Sequence, residues 1–398
     1  MTTRPTPPLS RRQRLRRYLR ACSFIEREVW DRPTRFSHWA LATMLVAALI
    51  TGWFDPSWQL DRHLLIGGMI AGLLLFRLVW GLFGSEFSRF SNVIPTPKAL
   101  REDVASLLQD RLKIPTPGIS PTNGLISLML WLILLALMIT GLMAYGGEEH
   151  LGPFATLVSF KTGETAQRIH ALLSAVLIAM AGLHYWIVSR ESRLTRIPLI
   201  RGMITGCKPL DPELPRDSGR SAHTVWAMLL GMVLMFAIDH ASKTLGQLPM
   251  DGWRPLHYPT IYQGRCGSCH WTIHPSLMPE ERWRELLHHL GDHFGQRVSL
   301  TGQEAITISS FVLVHASEDW NTEAAHRFRK YADETVKGIS DHPVWRKIHA
   351  RMDPNLFATP PVNKPGNCPV CHHDALSGRF DRHAIHLPRP AGQEMPVR

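Results

Sequence analysis

The stretch 168–188, RIHALLSAVLIAMAGLHYWIV, is apolar over a length that crosses a bilayer, yet it carries His170 and His184. At about 100° and 1.5 Å per residue, a helix returns these two positions to nearly one face and separates their rings by about 21 Å along its axis. A lone intramembrane histidine is commonly satisfied by bonding to a neighbouring helix, because polar groups in lipid are costly and turn towards protein. Two on one face, near opposite membrane surfaces, fit a second chemistry. Each imidazole could be one axial ligand of a haem iron, provided other spans supply a partner at each depth.

Other spans do. The 398 residues are unevenly composed: the first 240 read as membrane-embedded and the rest as soluble. Five apolar segments, 36–54, 63–83, 124–145, 169–188 and 222–238, approach the roughly 20 residues that a bilayer core requires. The first and last are short enough to be buried core helices instead, but the charge pattern asks for an odd number of crossings. His38 opens the first segment and His63 the second. Alternating spans put His38 at the depth of His184 and His63 at that of His170. The pairs give two bis-histidine b-type haems, each bridging a different helix to span four. Gly67, Gly68 and Gly72 leave room for a flat macrocycle, or equally for close helix packing. Arg77 reads as a cation snorkelling to headgroups that could also meet a haem propionate.

Arg11, Arg12, Arg14, Arg16, Arg17 and Arg20 precede the first span, which places the N-terminus in the cytoplasm by the positive-inside bias. The first apolar run starts too late and is too long for a cleaved signal peptide, so it reads as a retained anchor. A basic arm can bind nucleic acid, but beside a span topology explains it more simply, and no nucleic-acid partner is expected. Arg89, Lys98, Arg101, Arg111 and Lys113 follow span two. Arg190, Arg193, Arg196, Arg201, Lys208, Arg216 and Arg220 follow span four. Both loops should face the cytoplasm. The intervening loops hold Asp55, Asp61, Glu148, Glu149 and Glu164 and should face outward. Five spans then leave everything after about residue 241 on the outer side.

Four of the six cysteines test that placement, because they form two identical frames: Cys266-Gly-Ser-Cys269-His270 and Cys368-Pro-Val-Cys371-His372. In Cys-x-x-Cys-His the two thiols add to the haem vinyl groups and the adjacent histidine ligates the iron. A four-cysteine zinc site is the main alternative, but the pairs stand about a hundred residues apart where a zinc ribbon has about 15 to 20, and zinc gives no reason for a histidine after each pair. A redox Cys-x-x-Cys pair lacks its βαβ surroundings. Covalent haem attachment occurs outside the bacterial cytoplasm, where the charges independently put this region. Cys22 and Cys207 fall on the reducing cytoplasmic side, and no structural disulfide is implied.

At these residues the chain resembles known families. RPTRFSHWALATMLVAALITGW, the His63 frame and RIHALLSAVLIAMAGLHYW, covering about 29–188, resemble the bacterial cytochrome b561 and Ni-Fe hydrogenase b-type cytochrome family. That resemblance implies a four-helix bundle holding two b haems on His38, His63, His170 and His184, and electron exchange between the quinone pool and a partner. RCGSCHWTIHPSLMPEERW, HHLGDHFG, VWRKIHARM and GNCPVCHHDALSGRF resemble the dihaem cytochrome c domain family over about 258–388. This second resemblance implies bis-histidine c haems, with distal ligands at His293 and His349. Which serves which haem is open, and His274, His289 and His315 are alternatives. Met278 reads as core filling before axial ligand. MPEERWRELLHHLGDHFG is expected to form one helix carrying His288, His289 and His293, and ISDHPVWRKIHARM another carrying His349.

The fold expected is all-α: an integral membrane bundle, comprising a four-helix di-haem b core and a fifth transmembrane helix, with a mostly helical dihaem cytochrome c domain. Its parts are a cytoplasmic basic N-terminus at 1–35, the b561-like domain at 36–188, a cytoplasmic loop at 189–221, the fifth helix at 222–240 and a periplasmic c domain at 241–398. The function expected is electron transfer between quinone or quinol and a soluble periplasmic redox protein, through two b and two c haems in the bacterial inner membrane, as a quinol dehydrogenase. The alternatives are the membrane cytochrome subunit of a hydrogenase or other periplasmic oxidoreductase, and a non-catalytic docking or sensor module.

Overall fold

Asp31 begins the membrane part. Its carboxylate caps the helix α1 (Arg32–Trp53) by accepting from the Thr34 backbone N–H at 2.8 Å, with Pro33 in the first turn. The same carboxylate accepts from Trp80 Nε1 at 3.0 Å, Ser85 Oγ at 2.6 Å and Ser88 Oγ at 2.9 Å. One side chain thus ties the start of α1 to the end of α2 (Leu60–Phe83). Burial alone would raise the Asp31 carboxyl, but the hydrogen bonds from Ser85, Thr34 and Trp80 hold it below its ordinary value. The computed structural model describes residues 25–54, 60–113, 115–210, 224–245, 248, 252–329 and 338–388. The basic run at 11–20, Cys22, Asp55, Arg216 and Arg220 lie outside them.

Helix α3 (Pro97–Leu108) lies between α2 and α4 (Pro121–Glu149); α5 (Phe160–Thr195), α6 (Leu199–Thr205) and α7 (Thr224–Leu245) follow. Among the described residues, α1, α2, α4, α5 and α7 are long and apolar enough to cross a membrane. Large apolar side chains such as Val46, Leu65, Leu132, Leu172, Tyr185 and Phe236 stand exposed on them. In water each forgoes about 1.5–3 kcal/mol of burial, a cost that vanishes when the solvent is hydrocarbon. The helices overrun the apolar segments that mark them. α5 starts at Phe160 and, at 36 residues, is about 54 Å long, because a helix does not end at the lipid boundary. Its polar extension carries an ion pair from Arg168 to Glu164 at 3.0 Å.

Two compact units are distinguishable. The first takes Met1–Phe54, Arg62–Thr140 and Ile169–His240, the second Asp55–Asp61, Gly141–Arg168 and Ala241–Arg398. In the first unit Ile70, Leu74, Leu134, Leu137 and Leu177 of α2, α4 and α5 form the core. Helix α7 packs Ala227 on Val79 and Trp80. Charge patterning gave the loop after α2 no helix, yet α3 forms there because Thr96 caps it and Pro97 opens it. Buried Asp103 on α3 accepts from the Thr122 backbone N–H (3.1 Å) and hydroxyl (2.6 Å) at the start of α4, and pairs with Lys113 at 2.5 Å. Glu191 completes the cluster, 3.6 Å from Lys113 and accepting from Ser120 at 2.6 Å and Asn123 at 2.5 Å. A small antiparallel sheet pairs β1 (Ile25–Glu28) with β2 (Cys207–Leu210), with Arg27 opposite Lys208.

The second unit holds α8 (Thr260–Cys266), α9 (Glu280–His288), α10 (Gly302–Val314), α11 (Glu323–Arg329), α12 (Pro343–His349) and α13 (Pro354–Ala358). Tyr262, Trp283, Ile308, Val312 and Ala316 form its core, with Met278 packed against it. The expected helix through His293 is corrected. α9 stops at His288, and a short 3-10 turn precedes His293, where the chain reverses through Phe294 (φ 55°) and Gly295 (φ 78°) to bond His293 with Gln296. The sequence cue for the stop is Gly291 followed by Asp292, whose side chain accepts from the Gly295 N–H at 3.1 Å. The second expected helix is likewise only the seven residues of α12, after a 3-10 turn at Ile339–Asp341.

Candidate haem sites

His63 in the first turns of α2 and His170 on α5 face each other, with ring centres 6.1 Å apart and planes at 82°. Each ring is fixed through Nδ1. That of His63 bonds Thr51 Oγ1 at 3.1 Å, and that of His170 lies 3.0 Å from the Leu137 carbonyl and 3.3 Å from Thr140 Oγ1. Nε2 of each is thereby the ring nitrogen left available to a metal. Gly52 makes the fit possible, since a Cβ there would stand 3.0 Å from the His63 ring. Gly67, Gly68 and Gly72 are not close helix contacts: a Cβ at each would meet nothing within 4 Å.

His38 on α1 and His184 on α5 line one cavity of about 630 Å³. That volume is within the range of about 300–1,000 Å³ typical of ligand sites. Its walls are apolar at Leu45, Leu73 and Leu177 and polar at Ser37, Ser120 and Asn123. Nδ1 of both histidines is buried with no hydrogen-bond partner among the described residues. Arg77 also lines this cavity, its guanidinium beside the rings of Phe90 (5.7 Å) and Trp131 (5.5 Å), and its buried Nη1 has no acceptor among the described residues.

In the second unit the first Cys-x-x-Cys-His starts at the last residue of α8, Cys266, and His270 Nδ1 is 2.7 Å from the Trp271 carbonyl. The His270 and His293 rings are 6.4 Å apart. The second frame turns through Cys368–Val370, with the His372 N–H donating to the Cys368 carbonyl at 2.8 Å. His372 lies 6.3 Å from His349, ring to ring. His349 is set by Nδ1 on the Trp345 carbonyl at 2.8 Å and by stacking on Trp345 at 4.4 Å. His349, Cys368, Cys371 and His372 line a cavity of about 300 Å³ together with Phe380 and Arg382. Burial, then neighbouring His349, push His372 down to about 4, and burial also lowers His349 and His293. These imidazoles are neutral at pH 7, the form that binds metal.

Haem fits these residues. Two imidazoles on one metal, with bonds of about 2 Å and about 1.1 Å from each nitrogen to ring centre, put ring centres about 6 Å apart. Three of the four pairs have that spacing, and the fourth flanks a cavity with orphaned polar atoms. Zinc does not fit: among the described residues no three of His, Cys, Asp and Glu converge as metal ligands. Burial drives the Cys266 thiol up to about 11 and Cys368 up to about 12, against the depressed values of a redox pair. Among the described residues, none of the alternative histidines is ring-paired with His270 or His372. His274 is buried against Trp320 at 4.7 Å, His289 is exposed with Nδ1 on the Glu285 carbonyl at 2.8 Å, and His315 faces Asp319 at 3.6 Å.

Sequence reading missed an ion cluster beside the second frame. Arg382 pairs with Glu148 at 2.8 Å and Glu149 at 3.0 Å, and its N–H donates to Glu149 at 2.7 Å. The adjacent acids at the end of α4 were the available signal, but their partner is more than 230 positions away.

Apolar spans with facing histidines, together with two Cys-x-x-Cys-His frames, define a membrane electron-transfer haem protein. Residues 29–206 match the family of prokaryotic cytochrome b561 and residues 262–380 that of dihaem cytochrome c, so one chain joins a region of each. Two solved structures are similar. The dihaem cytochrome type c of Shewanella baltica OS155 is 25% identical over 33% of this chain and 95% of its own, with a TM-score of 0.26. The dihaem cytochrome c of Rhodobacter sphaeroides is 25% identical over 32% of this chain and 100% of its own, with a TM-score of 0.28. No curated protein matches the chain.

Proposed function

We propose that this chain moves electrons between the membrane quinone pool and a soluble periplasmic redox protein, as a quinol dehydrogenase of the bacterial inner membrane. The observation that carries the reading is one spacing repeated in independent places: 6.1 Å for His63 and His170, 6.4 Å for His270 and His293, and 6.3 Å for His349 and His372. His38 and His184 form the fourth ligand pair, across their shared cavity. Haem, when bound, supplies a one-electron carrier. The chain's own residues do the rest. Thr51, Leu137 and Trp345 fix ligand rings through Nδ1, apolar walls exclude water, and Cys266, Cys269, Cys368 and Cys371 supply the thiols for covalent attachment. The N-terminus is assigned to the cytoplasm and the c region to the periplasm on the charge pattern and on where covalent attachment takes place. A pyridine haemochrome assay on purified protein tests the ligand sets. Two non-covalent b and two covalent c haems per chain are expected; a single b haem, or zinc in place of covalent haem, would overturn them.

A further inference from the structure

The cavity shared by His38 and His184 holds two cations to which the ligand pairs give no role. Arg77 comes from α2, and its guanidinium lies against the packed pair of Phe90 and Trp131, yet Nη1 has no acceptor among the described residues. Lys208 comes from β2 and is buried, 6% exposed. Its ammonium donates to the Gly118 carbonyl at 2.7 Å and lies 5.2 Å from the Trp30 ring, with no carboxylate in ion-pair contact. Burial holds Lys208 down at about 8. Glu191 on the same cavity wall acts on Lys208, and Asp31 on Arg77, but neither makes an ion-pair contact with it. Buried cations without a contacting counter-charge are costly, and two on one cavity call for an anion with two negative groups.

The small sheet explains how Lys208 gets there. Gly206 takes φ +90°, and a Cβ on it would stand 2.8 Å from the Trp30 carbonyl. Its own carbonyl accepts from the Val29 and Trp30 N–H groups at 2.8 and 3.0 Å. This turn feeds β2, where Lys208 is held opposite Arg27. The cavity is amphipathic in the matching sense: Ser37, Ser120 and Asn123 join the cations, Glu191 is the carboxylate among its lining residues, and much of the rest is apolar, with Leu45, Leu73 and Leu177 among it.

We infer that Arg77 and Lys208 hold the two propionate carboxylates of the haem ligated by His38 and His184, and that the β1–β2 sheet exists to present Lys208 to it. This rests on the four-haem reading proposed above. The two residues are positioning residues: removing a positive charge beside the macrocycle favours the ferric state and lowers the midpoint potential of that haem.

The test uses the full chain carrying His63→Ala, so that the inner haem is the only b haem left and is read at its own α-band apart from the c haems, in uncharged detergent. Absence of b haem from this parent would overturn the ligand assignment, and the clamp with it, before any cation is changed. With b haem present, Arg77→Gln and Lys208→Gln are each expected to shift the ferrous-to-ferric ratio at fixed potential about tenfold towards ferric, equivalent to about 59 mV for one electron. Arg77→Lys and Lys208→Arg should restore most of it, and the outer haem of a His184→Ala chain should move less than twofold. If the Gln variants lose haem while the charge-keeping variants retain it, the clamp is supported. Loss in both sets means a packing role and overturns it. So does an unchanged potential, an equal shift at the outer haem, or a shift seen in phosphatidylglycerol vesicles but not in uncharged detergent. That last outcome would make the anion a lipid headgroup.

Discussion

His170 and His184 stand on one helix, but their partners separate them: His170 meets His63, and His184 shares its cavity with His38. Substituting each should therefore have a different spectral consequence. His170→Ala is expected to remove the b haem shared with His63, and His184→Ala the one shared with His38, each leaving about half of the b-haem absorbance and all of the c. Loss of a c haem with both b haems retained would contradict the pairing. His274 makes a second prediction of opposite character, because it is buried in the c region without being paired to either frame. Burial, then adjacent His315, lower it from 6.5 to about 3. The folded chain keeps the ring neutral where the unfolded chain protonates it, so the unfolded state binds more protons between about 3 and 6.5. Stability should fall as the pH drops through that window, by about 2 kcal/mol from pH 7 to 4.5 for this one group. Denaturant unfolding followed at the c-haem Soret band, in wild type and His274→Asn, reads the difference; parallel losses would assign the acid lability elsewhere.

Helix α3 is held by a buried charge cluster as well as by the packing of Leu107 on Ile126, Ile187 and Leu194. Asp103 anchors α3 to the first turn of α4, and Lys113 is shared between Asp103 and Glu191. Lys113→Met would leave two buried carboxylates without their cation, a loss on the order of 3 kcal/mol. Lys98→Met on the exposed face of the same helix should cost less than about 0.5 kcal/mol. Thermal loss of the b-haem spectrum in detergent compares them, and equal midpoints would show that the cluster contributes nothing. At this scale the sequence is unevenly legible. The five spans are readable because lipid demands an apolar run of fixed length, and the candidate histidines and the two Cys-x-x-Cys-His frames stand out because metal chemistry constrains residue type and spacing. The polar overhangs of α5 and the cap that starts α3 follow from local bonds, and the sheet carrying Lys208 from a pairing of distant segments, all of which leave little trace in hydropathy. Lys113 and Lys208 count only as positive loop charges in a topology argument, and both are buried. The end of α9 before His293 was available in Gly291 and Asp292, but the apolar periodicity through that stretch outweighed it.

Taken whole, the four proposed ligand pairs would suit low-spin iron in both a membrane and a covalent setting, and that arrangement does not itself fix the direction of flow. Bis-histidine ligation permits low potentials, so a periplasmic donor could reduce quinone through the same ligand sets, as the hydrogenase-subunit alternative requires. Flow from quinol outward is expected because covalently held haem outside the membrane is suited to repeated encounters with a diffusing acceptor. Stopped-flow mixing of oxidised protein with a quinol analogue decides between these readings, since c-haem absorbance reports arrival at the far end. The wild type should reduce its c haems within the mixing experiment. His63→Ala, which removes one ligand of the pair with His170, should slow that reduction by at least tenfold, a barrier difference of about 1.4 kcal/mol. A control with dithionite should reduce the c haems equally in both proteins, showing that the variant retains them. If quinol fails to reduce the c haems of the wild type, the chain is not a quinol dehydrogenase. If the variant is as fast as the wild type, electrons reach the c region by a path that does not use His63 and His170.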